Sequence, residues 1–99
     1  MTKTVLTIDD SRTMRDMLLM ALEDAGYTVI QAVDGVDGLE TLASKGADVI
    51  ITDINMPRMD GLALIAAVRP RLRFVPILAL TTESQAQKRE EAKRSGATG

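Results

Sequence analysis

Three carboxylates stand where short apolar runs stop: "TVLTIDD" ends on Asp9 and Asp10, and "VIITD" ends on Asp53. A charge carried to the tip of a buried strand is expensive to desolvate unless something pairs with it. If the two strands are neighbours, the three acids converge, and their repulsion must be relieved by protonation or by a cation. Mg²⁺ suits such a set, because it takes oxygen ligands and is commonly held by one or two carboxylates together with phosphate oxygens. The backbone carbonyl of Asn55, in the loop just after Asp53, could complete the protein's share of ligands. With the cation neutralising charge, one carboxylate can attack a phosphoryl group and form an aspartyl phosphate. Asp53, alone at its strand end, is the expected nucleophile, and Asp9 with Asp10 the expected metal holders. Thr81, closing "VPILALT", offers a hydroxyl to the arriving phosphoryl oxygen.

Each of these residues also has a plainer reading. Asp9 and Asp10 before Ser11 could be acids near a helix start with a capping serine. Asn55, Pro57, Asp60 and Gly61 are turn residues, and most of them serve to shape the loop over Asp53. Thr81 alone would be the β-branched end of a strand. Acids recurring at the ends of separate strands favour chemistry over coincidence.

The remaining composition narrows that chemistry. Cysteine and histidine are both absent, which excludes disulfides, thiolate or imidazole metal sites, and Ser-His or Cys-His catalysis. Twelve Lys and Arg against 14 Asp and Glu give a formal charge of -2, so no basic field is offered to nucleic acid or to an anionic membrane. The apolar runs are far shorter than a membrane span, and Met1-Thr2-Lys3 leads straight into a strand, which points to the cytoplasm. At 99 residues the chain is expected to form one domain over residues 1–99.

Strands and helices must alternate to place the acids. Strands are expected at Thr4 to Ile8, Thr28 to Ala32, Asp48 to Thr52 and Val75 to Thr81. A first helix starts after Ser11, carries Met14, Met17, Leu18, Ala21, Leu22 and Ala25 as its apolar stripe, and stops at Gly26. Two of its methionines fit that stripe, so core packing is their expected role. A second helix runs from Gly35 to Gly46, a third from Gly61 to Arg69, and a polar fourth, "SQAQKREEAKRS", follows as a loosely held face. Such alternation indicates an α/β fold with a parallel sheet covered on both faces. In such sheets sites form outside the carboxyl ends of the strands, where the acids and Thr81 fall.

"TIDDSRTMR", "ITDINMPRMDG" and "PILALTTES" together resemble the receiver domain of two-component response regulators, and within it the single-domain chemotaxis regulators of the CheY type. The resemblance covers the whole chain. It implies a flavodoxin-like (CheY-like) three-layer sandwich with strand order 2-1-3-4, an order taken from the family and not from periodicity. It also implies Asp53 as the phosphorylated aspartate, Asp9 and Asp10 as the acid pair, Asn55 as the residue lending its carbonyl to Mg²⁺, and Thr81 as the switch hydroxyl. A histidine kinase is the implied phosphodonor, with flagellar motor or other chemotaxis proteins as possible targets and no enzymatic role beyond self-catalysed phosphoryl transfer and autodephosphorylation. The family's fifth strand, with its lysine, and fifth helix have no counterpart before Gly99. The expectation is therefore a C-terminally truncated receiver whose fourth strand is an open edge, prone to self-association; a non-signalling folding or association module is the alternative.

Overall fold

The computed structural model describes residues 3–54, 61–70, 75–80, 90, 91, 93, 94, 96 and 98. Elements alternate as expected: β1 (Thr4–Ile8), α1 (Arg12–Asp24), β2 (Thr28–Ala32), α2 (Gly35–Lys45), β3 (Val49–Asp53), α3 (Gly61–Val68) and β4 (Ile77–Leu80). Glu90, Glu91, Lys93 and Arg94 are helical and exposed, within the stretch expected to form a polar fourth helix. The strands are all parallel and lie in the order β2-β1-β3-β4. This is the flavodoxin-like arrangement. Asp53 is the last residue of β3, one position beyond the expected strand end, and pairs in register with Leu80.

Local sequence sets the helix starts. Ser11 Oγ accepts from Met14 N at 3.2 Å, and Asp34 Oδ1 accepts from Asp37 N at 2.8 Å. Asp37 Oδ2 in turn accepts from Val33 N at 3.0 Å, which fixes the turn from β2 into α2. The period of two along the strands then divides the side chains between two faces. Leu6, Ile8, Ile50 and Ile77 are buried on one face and form the core with Leu64, Ile65 and Val68 of α3, and Leu39 and Leu42 of α2 pack against it. Gly38 brings α2 close to β1: a Cβ there would lie 2.7 Å from Ile8 Cδ1. On the opposite face Val5 and Thr7 are buried, on the side where Gln31 Nε2 donates to the Arg15 carbonyl of α1.

Two expectations are corrected. The stripe of α1 is rotated from the one read in the sequence: Arg15, Leu18, Leu19 and Leu22 are half-buried, whereas Met14, Met17, Met20, Ala21 and Ala25 are exposed. Met14, Met17 and Met20 are 38%, 60% and 68% exposed, because α1 packs on β1 and β2 and its outer flank reaches neither. The edge of β4 is also not open along its length. Thr98 N donates to Ile77 O at 2.7 Å and Thr98 Oγ1 accepts from Ile77 N at 3.1 Å, so both outward groups of Ile77 are occupied. Arg69 secures this return: Nε donates to Gly96 O and Nη1 to Val75 O, each at 2.8 Å. Gly96 sits at φ +121°, and a Cβ there would meet Arg69 Cγ at 2.9 Å, so the clasp requires glycine.

Candidate functional site

Neighbouring strands β1 and β3 carry the acids to one point. Ile8 pairs with Thr52, so the residues that follow, Asp9 and Asp53, stand side by side at the strand ends. Asp9, Asp10 and Asp53 each offer a carboxylate oxygen to a group whose members all lie within 4.8 Å of one another. Asp9 is buried, at 4% exposure, Asp53 is half-buried and Asp10 is exposed. The three expected acids are thus brought together. Asn55 and Thr81 lie outside the described residues.

Asp9 is held from several directions. Its N–H donates to Ala32 O at 3.1 Å, its Oδ1 accepts from Ser11 N at 2.8 Å, and its backbone carbonyl accepts from Arg15 Nη1 at 2.8 Å. Desolvation raises its pKa above the ordinary carboxylate value, against the lowering effect of the Ser11 N–H; Asp10 adds to the rise and Arg15 opposes it. On the other strand, the fully buried Thr52 hydroxyl donates to Asp53 O at 2.9 Å, which ties down the backbone of the expected nucleophile. Sequence reasoning gave Arg15 no role, although it stands six residues after Asp9 within the quoted motif.

Adjacent strand ends presenting three acids to one point can together supply oxygen ligands to a hard cation. A match to the response regulator receiver domain extends over residues 5–99. The chain belongs to that family. This receiver domain is 39% identical over 98 residues to the chemotaxis protein CheY of Pseudomonas aeruginosa, covering 96% of this chain and 79% of that protein. Against response regulator MprA of Mycobacterium ulcerans it is 39% identical over 93 residues, 94% of this chain but only 40% of that protein. Against the DNA-binding transcriptional regulator NtrC of Escherichia coli it spans 20% of the relative's length. The receiver fold itself superposes on the chemotaxis protein CheY4 of Vibrio cholerae with a TM-score of 0.93 and 44% identity, over 100% of this chain and 84% of that one. Among the described residues of this receiver domain, no helix is long and apolar enough to cross a membrane.

Proposed function

We propose that this receiver domain takes a phosphoryl group onto Asp53 from the phosphohistidine of a histidine kinase, and that it does so with Mg²⁺ held by Asp9, Asp10, Asp53 and the carbonyl of Asn55. The observation that carries this reading is the convergence of the three carboxylates within 4.8 Å at the ends of adjacent strands. The donor set fits the ion: every side-chain ligand is a hard carboxylate oxygen, and the chain has no cysteine or histidine to favour a softer metal. When bound, Mg²⁺ supplies charge neutralisation at the phosphoryl oxygens. A carboxylate oxygen of Asp53 attacks phosphorus, the P–N bond of the phosphohistidine breaks, and the departing imidazole nitrogen keeps that bond's electron pair. The Thr52 bond to Asp53 O keeps the attacking residue's backbone in place. Thr81 is assigned the hydroxyl that meets the new phosphoryl oxygen and signals its arrival.

The domain is on this reading a phosphoacceptor in the cytoplasm, with catalysis limited to its own phosphorylation and dephosphorylation. Similarity to the two chemotaxis proteins supports a chemotaxis output, with flagellar motor or other chemotaxis proteins as targets. Incubation with a small-molecule phosphodonor and Mg²⁺ tests the reading: one base-labile phosphoryl group should add to the mass, and Asp53→Asn should prevent it. Labelling that survives Asp53→Asn, or no labelling at saturating Mg²⁺, would sink it. The second reading, a non-signalling association module, is favoured by the exposure of Leu78 and the α1 methionines. A chain that binds no Mg²⁺ yet sediments as a stable dimer would put that reading first.

A further inference from the structure

The buried end of β1 carries a backbone group that the sheet leaves without a partner. In a parallel ladder a residue turns its N–H and C=O toward the same neighbouring strand. Asp9 N donates to Ala32 O, so Asp9 O would accept from the N–H of residue 34 if the ladder continued. It does not continue. β2 ends at Ala32, Val33 N is taken by Asp37 Oδ2, and Asp34 turns away to cap α2. A buried carbonyl without a donor is destabilising by about 1–3 kcal/mol. Arg15 Nη1 supplies the donor at 2.8 Å. The main chain of Arg15 belongs to the first turn of α1, where its N–H donates to Ser11 O at 3.0 Å.

We infer that Arg15 is a positioning residue for the metal-binding loop: by taking the place of the missing ladder donor it fixes the direction in which Asp9 and Asp10 leave β1. This rests on the Mg²⁺ reading above. The bond acts on the Asp9 backbone, while Ser11 N holds Oδ1; among the described residues Oδ2 accepts no hydrogen bond. Asp10, exposed and next in the chain, inherits its direction from the same carbonyl plane. The guanidinium is also a positive charge beside a site for a dication. Two effects of removing it therefore have opposite signs. Lost repulsion would tighten Mg²⁺ binding, and lost positioning would weaken it. Supporting groups of this kind, which orient a ligand without touching the metal, typically alter metal affinity by about 10–100-fold.

The test is Mg²⁺ titration of the full chain by calorimetry at pH 8, with amide NMR shifts as a second readout. Arg15→Ala should weaken Mg²⁺ binding about tenfold or more, and in the metal-free chain it should speed solvent exchange of the Ser11 amide. Arg15→Lys, which keeps a donor and the charge, should restore part of the affinity. Gln31→Ala removes a tie between β2 and α1 without touching Asp9. It should leave Mg²⁺ affinity unchanged, which separates positioning from general loosening of the fold. Unchanged or tighter binding by Arg15→Ala, or equal weakening by Gln31→Ala, overturns the role of Arg15 while leaving the metal reading intact. Absence of Mg²⁺ binding to the unaltered chain overturns both.

Discussion

Two buried threonines under the acidic site make a matched pair with opposite expected signs. Thr7 and Thr52 are both fully buried, on the adjacent strands β1 and β3. Thr52 Oγ1 donates to Asp53 O at 2.9 Å, whereas among the described residues Thr7 Oγ1 has no hydrogen-bond partner. Valine has nearly the shape of threonine and no hydroxyl. At Thr7 the exchange removes a desolvated polar group that returns nothing, and mutational data value such a group at about 1–3 kcal/mol. Thr7→Val should therefore stabilise the chain by about 1–2 kcal/mol, allowing for imperfect fit of the new methyl. Thr52→Val breaks a made bond, so it should destabilise by about 1 kcal/mol.

For a domain of this size 1 kcal/mol moves the thermal midpoint by about 4–8 °C, so the two variants should bracket the parent and differ by about 8 °C or more. Urea unfolding with unchanged m-values is the second measurement, since an altered slope would indicate a changed denatured state. Thr7→Val should bind Mg²⁺ as the parent does, because Thr7 reaches the acids only through the β1 backbone. A Thr7→Val variant less stable than the parent would refute the reasoning, since it would mean that the hydroxyl is satisfied in solution, for instance by an internal water.

Asp53→Asn should raise the unfolding midpoint in a chelator, because repulsion between two carboxylates whose oxygens lie within 4.8 Å of one another is about 1 kcal/mol even with water-like screening; excess Mg²⁺ should then stabilise the parent more than the variant, and a lower midpoint in chelator counts against a crowded site. The raised pKa of Asp9 has a defined sign in stability. The folded chain holds that proton more tightly than the unfolded one, so stability falls as pH rises from the ordinary aspartate value of 3.8 through the higher folded value. Asp9→Asn should remove this slope, and its advantage over the parent, read from urea midpoints without metal, should grow with pH through that window and then level off; an advantage that shrinks as pH rises would contradict the burial argument. Leu78, 39% exposed on the α1 face beside half-buried Ile51 and Leu80, should contribute to self-association. Sedimentation should show concentration-dependent dimers that Leu78→Lys shifts toward monomer, and a monomer at every concentration removes the idea.

The acids were readable because each ends an apolar run, and a run's end is a property of local sequence. Their meeting was not local, since it needs β1 and β3 to be neighbours, and that order came through the resemblance. The methionines of α1 were misjudged for a related reason. Helical periodicity shows that a stripe is apolar, but how much of it is covered depends on what lies beneath. Here α1 packs on β1 and β2, and the flank carrying Met17 and Ala21 projects past them. The edge of β4 was misjudged because its cover at Ile77 comes from Thr98, which reaches it only after Arg69 has secured the turn at Gly96.

Arg15 shows the same limit at the site itself. Its partner exists only because β2 stops at Ala32, and β2 stops there because Asp34 and Asp37 commit the next residues to the start of α2. Three elements must be in place before the Asp9 carbonyl is left over, so no window of sequence around Arg15 contains the reason for it. The acids that would contact the ion and phosphoryl group are set by strand ends, and the residue that aims them is set by where a neighbouring strand fails to continue. A substitution that let β2 run on to residue 34 would give Asp9 a ladder donor and make Arg15 redundant. The orientation of this acid pair is therefore a property of the β2–α2 junction as much as of β1.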